Sequence, residues 1–279
     1  MEDTQEETRT QWLRSLPEII VRLAERWDLS LGTPFCSGVE GNGWVAPVTD
    51  LHNKEAVLKI SFPHFEEEDE IQSLRFWNGD PTVRLLDADD DLHASLLELC
   101  SPGTPLRDSP ECEQDVVIAG LLRRMWRTPG PTYVFRPIEA MLDHWSEEAE
   151  THLAHAHDPG LVREGIGLFT YLANSAKSRV LLATDLHAGN VLRSRREHWL
   201  AIDPKPFLGD PAYDATQHLL NCVDRILSKP RQTIDRFANY LQVSPERVRL
   251  WTFARVAVAS ADKHRHAAEH FRALSEALK

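Results

Sequence analysis

The sequence has few cysteines, no excess of basic charge and no long apolar run, and each shortage removes a class of protein. Its four cysteines, Cys36, Cys100, Cys112 and Cys222, show no Cys-x-x-Cys spacing. A chain of 279 residues can rely on its core and needs no disulfide framework, so reduced thiols and a cytoplasmic location are expected. The start, Met1-Glu2-Asp3-Thr4-Gln5-Glu6-Glu7, lacks the basic and apolar stretches of a secretory signal. No uninterrupted apolar stretch approaches the ~18–20 residues that span a bilayer. Lys and Arg total 31 against 43 Asp and Glu, a formal charge of −12. A nucleic-acid binder needs a basic face to displace counterions, and a polybasic membrane-surface protein needs the same excess, so neither partner is expected. Internal repeats and low-complexity tracts are also missing.

What is present is unevenly distributed. Residues 1–100 hold 21 acidic and 8 basic side chains, and residues 101–279 hold 22 and 23. At ~150 residues per domain the length suits two units. Residues 6–28 place Trp12, Leu13, Leu16, Ile19, Ile20, Leu23, Ala24 and Trp27 at helical spacing. Pro17 interrupts the pattern, which leaves two short helices or one kinked helix. Short strands are expected at 35–38, 43–48 and 56–60, then a charged helix over 66–77, then strands at 83–86 and 95–99. From 102 onward the apolar periodicity is helical, near 111–127, 137–156, 160–177, 211–227, 230–242 and 245–278. One strand-like island, 180–202, interrupts it. The layout is α+β: a small strand-rich lobe over 1–100, a connector near 98–106, and a larger helical lobe over 101–279.

The island carries the chemistry. In Leu181-Leu182-Ala183-Thr184-Asp185-Leu186-His187-Ala188-Gly189-Asn190-Val191-Leu192, a polar loop joins two apolar runs, with Asp185 and Asn190 bordering them. Ile202-Asp203-Pro204 follows, its Asp at the end of another short strand. Phosphoryl transfer requires this inventory: a carboxylate to receive the acceptor proton, and an amide with a second carboxylate to hold Mg²⁺ against phosphates. Asp-Leu-x-x-x-x-Asn is the spacing of a kinase catalytic loop, and Asp203 falls where the metal-binding Asp belongs.

The first lobe supplies complementary residues. Ala56-Val57-Leu58-Lys59-Ile60 places a lone Lys inside an apolar strand, where burial demands an anionic partner. ATP phosphates and a Glu on the next helix would serve. Among Glu66, Glu67, Glu68 and Glu70, Glu70 is selected because Ile71 and Leu74 mark the inward face. Ser37-Gly38-Val39-Glu40-Gly41-Asn42-Gly43 is either a phosphate-binding loop, through Ser37, Gly38, Gly41 and Gly43, or an ordinary hairpin turn. Glu98, Leu99 and Cys100, before Pro102-Gly103, are positioned to present backbone groups to adenine.

These residues resemble the aminoglycoside phosphotransferases, and the branch of the streptomycin 6-phosphotransferases and hydroxyurea phosphotransferases in particular. The likeness runs through 181–192, Trp199 to Pro204, and Gly209-Asp210-Pro211-Ala212-Tyr213-Asp214, and includes Val57-Leu58-Lys59, the 70–77 helix, Val83-Arg84-Leu85-Leu86 and Leu96-Leu97-Glu98. It covers roughly residues 30–275. The resemblance implies a bilobal protein-kinase-like fold, ATP and Mg²⁺ as cofactors, and a small hydroxylated molecule as acceptor. It implies Asp185 as catalytic base, Asn190 and Asp203 as metal ligands, and Lys59 with Glu70 as phosphate clamp. Ala183-Thr184-Asp185 departs from the family's frequent His-Gly-Asp, and the glycines are spaced Gly-x-x-Gly-x-Gly rather than Gly-x-Gly-x-x-Gly. Asp210 and Asp214 either support the metal loop, reach substrate, or cap the helix starting near Pro211.

Other readings have less behind them. A metabolic kinase for a sugar or amino alcohol would share the fold, and a non-catalytic nucleotide-binding regulator would have no need of Lys59, Asp185, Asn190 and Asp203 together. A metal-dependent hydrolase would need His152, His155 and His157, or His264, His266 and His270, to converge with Asp203; both clusters read as solvated helix faces. The acidic runs 66–70 and 87–91 read mainly as surface charge. The tryptophans, Trp145 and Trp251 among them, read mainly as core.

Overall fold

The computed structural model describes residues 2–35, 43–261 and 273–278, with side chains from residue 7 onward. Helix α1 (Glu2–Arg26) runs unbroken through Pro17, so the periodic stretch forms one helix rather than two. Its inward face lays Trp12, Leu16, Ile19, Ile20 and Leu23 on Val48, Ala56, Leu58, Ile60 and Ala94. This burial, about 1.5–3 kcal/mol for each fully buried aliphatic side chain, offsets what Pro17 costs.

Those partners belong to an antiparallel sheet of β1 (Ser30–Leu31), β2 (Gly43–Thr49), β3 (Glu55–Ser61), β4 (Leu85–Asp89) and β5 (Ala94–Glu98), in the order β1-β2-β3-β5-β4. Along β3 the two-residue alternation decides what each side chain meets. Ala56, Leu58 and Ile60 face α1, whereas Val57 packs with Leu74, Val83, Leu97 and Leu200. Lys59 shares the face of Val57, in register with Val45 and Ser95.

The helix expected over 66–77 divides into a 3₁₀ turn (Phe65–Glu67) and α2 (Glu70–Trp77). Asn78 closes α2 in the left-handed conformation, its N–H donating to the Leu74 carbonyl. Trp77 is fully buried in the helical half, and its indole N–H donates to the Met125 carbonyl at 2.9 Å.

The second half contains α3 (Glu111–Met125), α4 (Ile138–His152), α5 (Pro159–Asn174), α6 (Pro211–Leu220), α7 (Val223–Ser228), α8 (Pro230–Leu241) and α9 (Pro245–Ala259). The periodic stretch 211–227 splits into α6 and α7 at Asn221 and Cys222. Prolines open α5, α6, α8 and α9, where a missing N–H costs nothing. Asp158, Asp210 and Ser244 cap three of these starts. Trp251, Tyr213, Phe169, Phe207 and Phe237 fill the core. Trp251 is wholly buried, as expected of a packing residue.

Two small sheets form the island. Strand β7 (Val180–Leu182) pairs with β10 (Phe207–Gly209), and β8 (Val191–Ser194) lies between β6 (Pro102–Pro105) and β9 (Trp199–Ala201). The first sheet is tied to this region at 81–83: Val83 N–H donates to the Ala201 carbonyl, and Ala201 N–H to the Pro81 carbonyl, both at 3.0 Å. The fold is the bilobal protein-kinase-like one, α+β in class. Among the described residues no helix is long and apolar enough to cross a membrane. Cys100, Cys112 and Cys222 are free thiols; Cys36 lies outside the described residues.

Candidate active site

The lone Lys of β3 finds two carboxylates. Lys59 Nζ donates to both Glu70 oxygens, at 2.6 and 2.7 Å, and also to Asp203 Oδ1 across the lobes. Ser61, on the same face of β3, places its hydroxyl 3.4 Å from Glu70 Oε2. Burial opposes the Lys59 charge, but Asp203 and Glu70 outweigh it and hold the ammonium above its ordinary pKa. In return Lys59 holds the Asp203 carboxyl below the usual carboxylate range, against burial. Glu70 is fully inside, and burial pushes its carboxyl up although Lys59 opposes the shift.

The loop after β7 is built on a second buried carboxylate. Asp214, on the first turn of α6, accepts the backbone N–H groups of Ala183 and Thr184 at 3.0 and 2.8 Å and the Trp126 indole N–H at 2.8 Å. Burial raises its carboxyl to about 6 despite these donors. Thr184 is thereby held at φ 46°, an uncommon conformation for a β-branched residue. Its hydroxyl donates to the Lys205 carbonyl at 2.5 Å. Asp210 sits elsewhere: it caps α6 and accepts Arg247 Nε–H at 2.7 Å and the Trp251 indole N–H at 2.9 Å.

From this support Asp185 projects into the cleft. Gln217 Nε2–H donates to its Oδ1 at 2.5 Å, Lys205 Nζ lies 3.3 Å from Oδ2, and Asn190 Nδ2–H donates to its backbone carbonyl at 3.0 Å. Ile202 N–H donates to the Asn190 carbonyl at 2.9 Å, joining the loop to the chain that bears Asp203. Asp203 itself sits at φ 55°. His187 accepts the Gly189 N–H, and a Cβ at Gly189 would come within 2.7 Å of the His187 ring. The structure thus brings Lys59, Glu70, Asp185, Asn190 and Asp203 to one cleft, with Asp214 directly beneath it.

Ser37, Gly38 and Gly41 lie outside the described residues, and Gly43 opens β2 with its Cα against β3: a Cβ there would lie 3.1 Å from the Ile60 carbonyl oxygen. Glu98 ends β5 with its side chain on Arg196, at 2.9 and 3.1 Å from Nε. Leu99 and Cys100 continue as chain outside the ladder, and burial pushes the Cys100 thiol up to about 11. A cavity adjoining Glu70, lined by Ser61, Phe62, His64, Glu67 and Ser95, holds about 240 Å³, less than ligand pockets commonly offer.

The acidic run 66–70 is a correction, since it is largely engaged rather than free surface charge. Glu66 accepts the Trp145 indole N–H at 2.8 Å, Glu68 and Asp69 each meet Arg136 at 2.8 Å, and Glu70 holds Lys59. Two neighbours of Asp185 escaped the sequence reading, Lys205 and Gln217. Arg255 also escaped it: its Nη2–H donates to Gln217 Oε1 at 2.8 Å, while its guanidinium covers Trp145 and Tyr213. One signal existed for Gln217, which lies three residues past Asp214 and seven past Asp210, on the same helical face. Among the described residues no group of three or more His, Cys, Asp and Glu side chains could hold a metal ion; His264, His266 and His270 lie outside them.

A catalytic-type loop beneath a five-stranded sheet defines the kinase-like phosphotransferase class. Choline kinase LicA of Streptococcus pneumoniae has this fold at TM-score 0.68 and 15% identity, over 94% of this chain and 98% of that one. An aminoglycoside phosphotransferase of Alicyclobacillus acidocaldarius has it at TM-score 0.58 and 14% identity, over 91% of each. The sequence pattern of the aminoglycoside/hydroxyurea antibiotic resistance kinases matches residues 39–267, and the chain belongs to that family. It is 32% identical over 255 residues to a streptomycin 6-kinase of Streptomyces glaucescens, covering 88% of this chain and 82% of the relative. The streptomycin 6-kinase of Streptomyces griseus is 33% identical with the same coverage. A hydroxyurea phosphotransferase of Kitasatospora aureofaciens is 34% identical over 251 residues, 88% of this chain and 72% of the relative. The chain is therefore an ATP-dependent phosphotransferase with an alcohol group as acceptor.

Proposed function

We propose that the chain transfers the γ-phosphate of MgATP to a hydroxyl of a streptomycin-type aminoglycoside, as an antibiotic-resistance kinase. The observation that carries this reading is the meeting of Lys59, Asp185, Asn190 and Asp203 at one cleft, in a chain 32% and 33% identical to two streptomycin 6-kinases over 255 residues. Hydroxyurea is the second acceptor, on the likeness to the Kitasatospora relative. The acidic chain suits a small-molecule partner rather than nucleic acid or a membrane surface, and the work belongs in the cytoplasm, where ATP is supplied and thiols stay reduced.

Lys59, locked by Glu70, would meet the α- and β-phosphates of the nucleotide, and Ser37, Gly38, Gly41 and Gly43 are the residues whose backbone N–H groups would be offered to them. Glu98, Leu99 and Cys100 carry the chain past adenine. Asn190 turns its amide nitrogen to the Asp185 carbonyl, which leaves its carbonyl oxygen, with an Asp203 oxygen, as hard donors suited to Mg²⁺. That ion, when bound, neutralises phosphate charge. Gln217 fixes one oxygen of Asp185, and the other, approached only at 3.3 Å by Lys205 and at 3.5 Å by the Asn190 amide, orients the acceptor hydroxyl and receives its proton. Asp214 keeps the loop in shape, and Asp210 supports α6 through its cap and its bonds to Arg247 and Trp251.

The test offers the purified chain ATP and Mg²⁺ with streptomycin, hydroxyurea, other aminoglycosides, sugars and amino alcohols, and reads products by mass. Phosphorylated streptomycin is expected, and its loss in Asp185→Ala with nucleotide binding kept. Near-normal turnover in that variant would remove Asp185 from the mechanism. Phosphorylation of hydroxyurea or an amino alcohol with streptomycin untouched would overturn the acceptor.

A further inference from the structure

We propose that Lys205 is a further catalytic residue, whose ammonium grips the γ-phosphoryl group as it passes to the acceptor oxygen. The inference rests on the kinase reading above and extends it to a side chain that the Asp185, Asn190 and Asp203 pattern does not contain.

Two lysines reach this cleft, and they are held differently. Lys59 is locked on Glu70 at 2.6 and 2.7 Å, the spacing of a tight charge-assisted pair. Lys205 Nζ lies 3.3 Å from Asp185 Oδ2 and 3.8 Å from Glu66 Oε2, both long for such a pair. Its side chain is 18% exposed, so it is largely stripped of water yet open on one side. Its backbone is not loose: Lys205 N–H donates to the Ala183 carbonyl at 3.0 Å, and the Lys205 carbonyl accepts the Thr184 hydroxyl. Pro204 and Pro206 flank it. Lys205 is thus fastened to the loop that bears Asp185, while its ammonium is shared loosely between two carboxylates.

The atom it faces decides what it does. Gln217 holds Asp185 Oδ1 at 2.5 Å, whereas Oδ2 has only the longer contacts of Lys205 Nζ at 3.3 Å and the Asn190 amide at 3.5 Å, so Oδ2 is the better placed to take the acceptor hydroxyl, beside the ammonium. If Lys205 stayed on Oδ2 it would compete with that hydroxyl. Turning to the oxygens of the phosphoryl group under attack frees Oδ2 and sets a cation where negative charge is spread in transfer. In that step the acceptor oxygen forms a bond to the γ-phosphorus, and the bond from that phosphorus to the β,γ-bridging oxygen breaks. The bond's electron pair leaves with ADP. The hydroxyl proton goes to Asp185 Oδ2 and then to solvent, and Lys205 keeps its own protons throughout.

Lys205→Met in the full chain is the test, with folding followed by circular dichroism and melting. Calorimetry compares ADP with a non-hydrolysable ATP analogue, each with Mg²⁺, and steady-state kinetics follow transfer to streptomycin. Expected are ADP binding within about twofold of wild type and analogue binding weaker by about tenfold or more, the scale of one charged hydrogen bond. kcat should fall by about 10²-fold or more at unchanged acceptor KM, with partial recovery in Lys205→Arg. Equal effects on ADP and analogue, or a lower kcat with analogue affinity intact, would overturn the assignment and leave Lys205 a support for Asp185. If Lys205→Met does not fold, Lys205→Gln is judged by the same pair of nucleotides. A wild-type chain that binds nucleotide but phosphorylates no acceptor overturns the kinase reading instead, while the two-nucleotide comparison still judges Lys205.

Discussion

Replacing Lys59 with methionine should destabilise the chain by about 3–5 kcal/mol, the range for removing one partner of a buried ion pair. The methionine keeps most of the volume of the lysine stem, so little of this is cavity. The loss arises from Glu70, whose side chain is 6% exposed and whose other partner is the Ser61 hydroxyl at 3.4 Å. Asp203, at 37% exposure, turns to water and adds little. At roughly 2–4 °C per kcal/mol for a chain of about this size, the melting point should fall by roughly 6–20 °C. The effect should depend on pH with a definite sign. Burial already raises the Glu70 carboxyl with Lys59 present, and without Lys59 it rises further. Below its ordinary value of 4.5 the group is neutral in folded and unfolded chains alike, and the penalty is absent. The penalty grows as pH climbs from there through the raised folded value, and it is constant above. Lys59→Met should therefore lose more at pH 8 than at pH 5. Lys59→Met/Glu70→Leu should recover most of the loss and show no such dependence, while remaining inactive. Scanning calorimetry across pH, with ATP turnover alongside, decides it. A single variant that melts with the wild type at pH 8, or a double variant as weak as the single, would refute the reasoning.

Two more expectations concern the support of Asp185. Asp214→Asn keeps the shape but sets an amide NH₂ among three buried donors; with one or two left unpaired at about 1–3 kcal/mol each, urea unfolding should register a loss of about 2–4 kcal/mol. kcat should fall as Thr184 is released, and a variant with wild-type stability and kcat would refute the role given to Asp214. Gln217→Leu should lower kcat about tenfold, the scale of one lost positioning contact, with ADP affinity unchanged. Adding Arg255→Leu should cost no more, because Arg255 reaches Asp185 through Gln217; additive losses would show that the two act separately.

Residues that belong to a short local pattern were legible, and residues that act from a distance were not. Lys59 was visible because an ammonium in an apolar strand must find anions, and Asp185, Asn190 and Asp203 because they border apolar runs in a fixed order. Lys205 and Arg255 carry no such mark. Arg255 reaches Gln217 from α9, 38 residues away, through packing of α6 on α9 that no periodicity encodes. Strands β6 and β10, four and three residues long, are too short to show alternation, and β6 is bounded by prolines. Pro17 left two short helices or one kinked helix open, and burial against the sheet keeps α1 a single helix. The acidic run 66–70 looked like solvated charge because its basic partners other than Lys59 lie 67 or more residues away, in the second half.

Those partners give the charge asymmetry of the halves its meaning. Arg124 and Arg127 meet Asp80, Arg136 meets Glu68 and Asp69, Arg196 meets Glu98, and Lys205 meets Glu66, each a cation of the second half on an acid of the first. Lys59 on Asp203 is the reverse pair, and it lies in the cleft. Most of these pairs are partly exposed, and each contributes about 0–1 kcal/mol, so together they orient the sheet over the helical half more than they stabilise it. Five acids of the first hundred residues, Glu66, Glu68, Asp69, Asp80 and Glu98, are thereby paired with the second half, and the formal charge remains −12. That net charge is a diffuse field, screened within about 8–10 Å, and it does not choose one cation over another. Any preference for a cationic acceptor must come from carboxylates close to Asp185 that retain a free oxygen. Glu67 does not meet that need: its oxygen without a hydrogen-bond partner among the described residues is buried, and burial raises its carboxyl to about 7, which disfavours the charge that a cation requires.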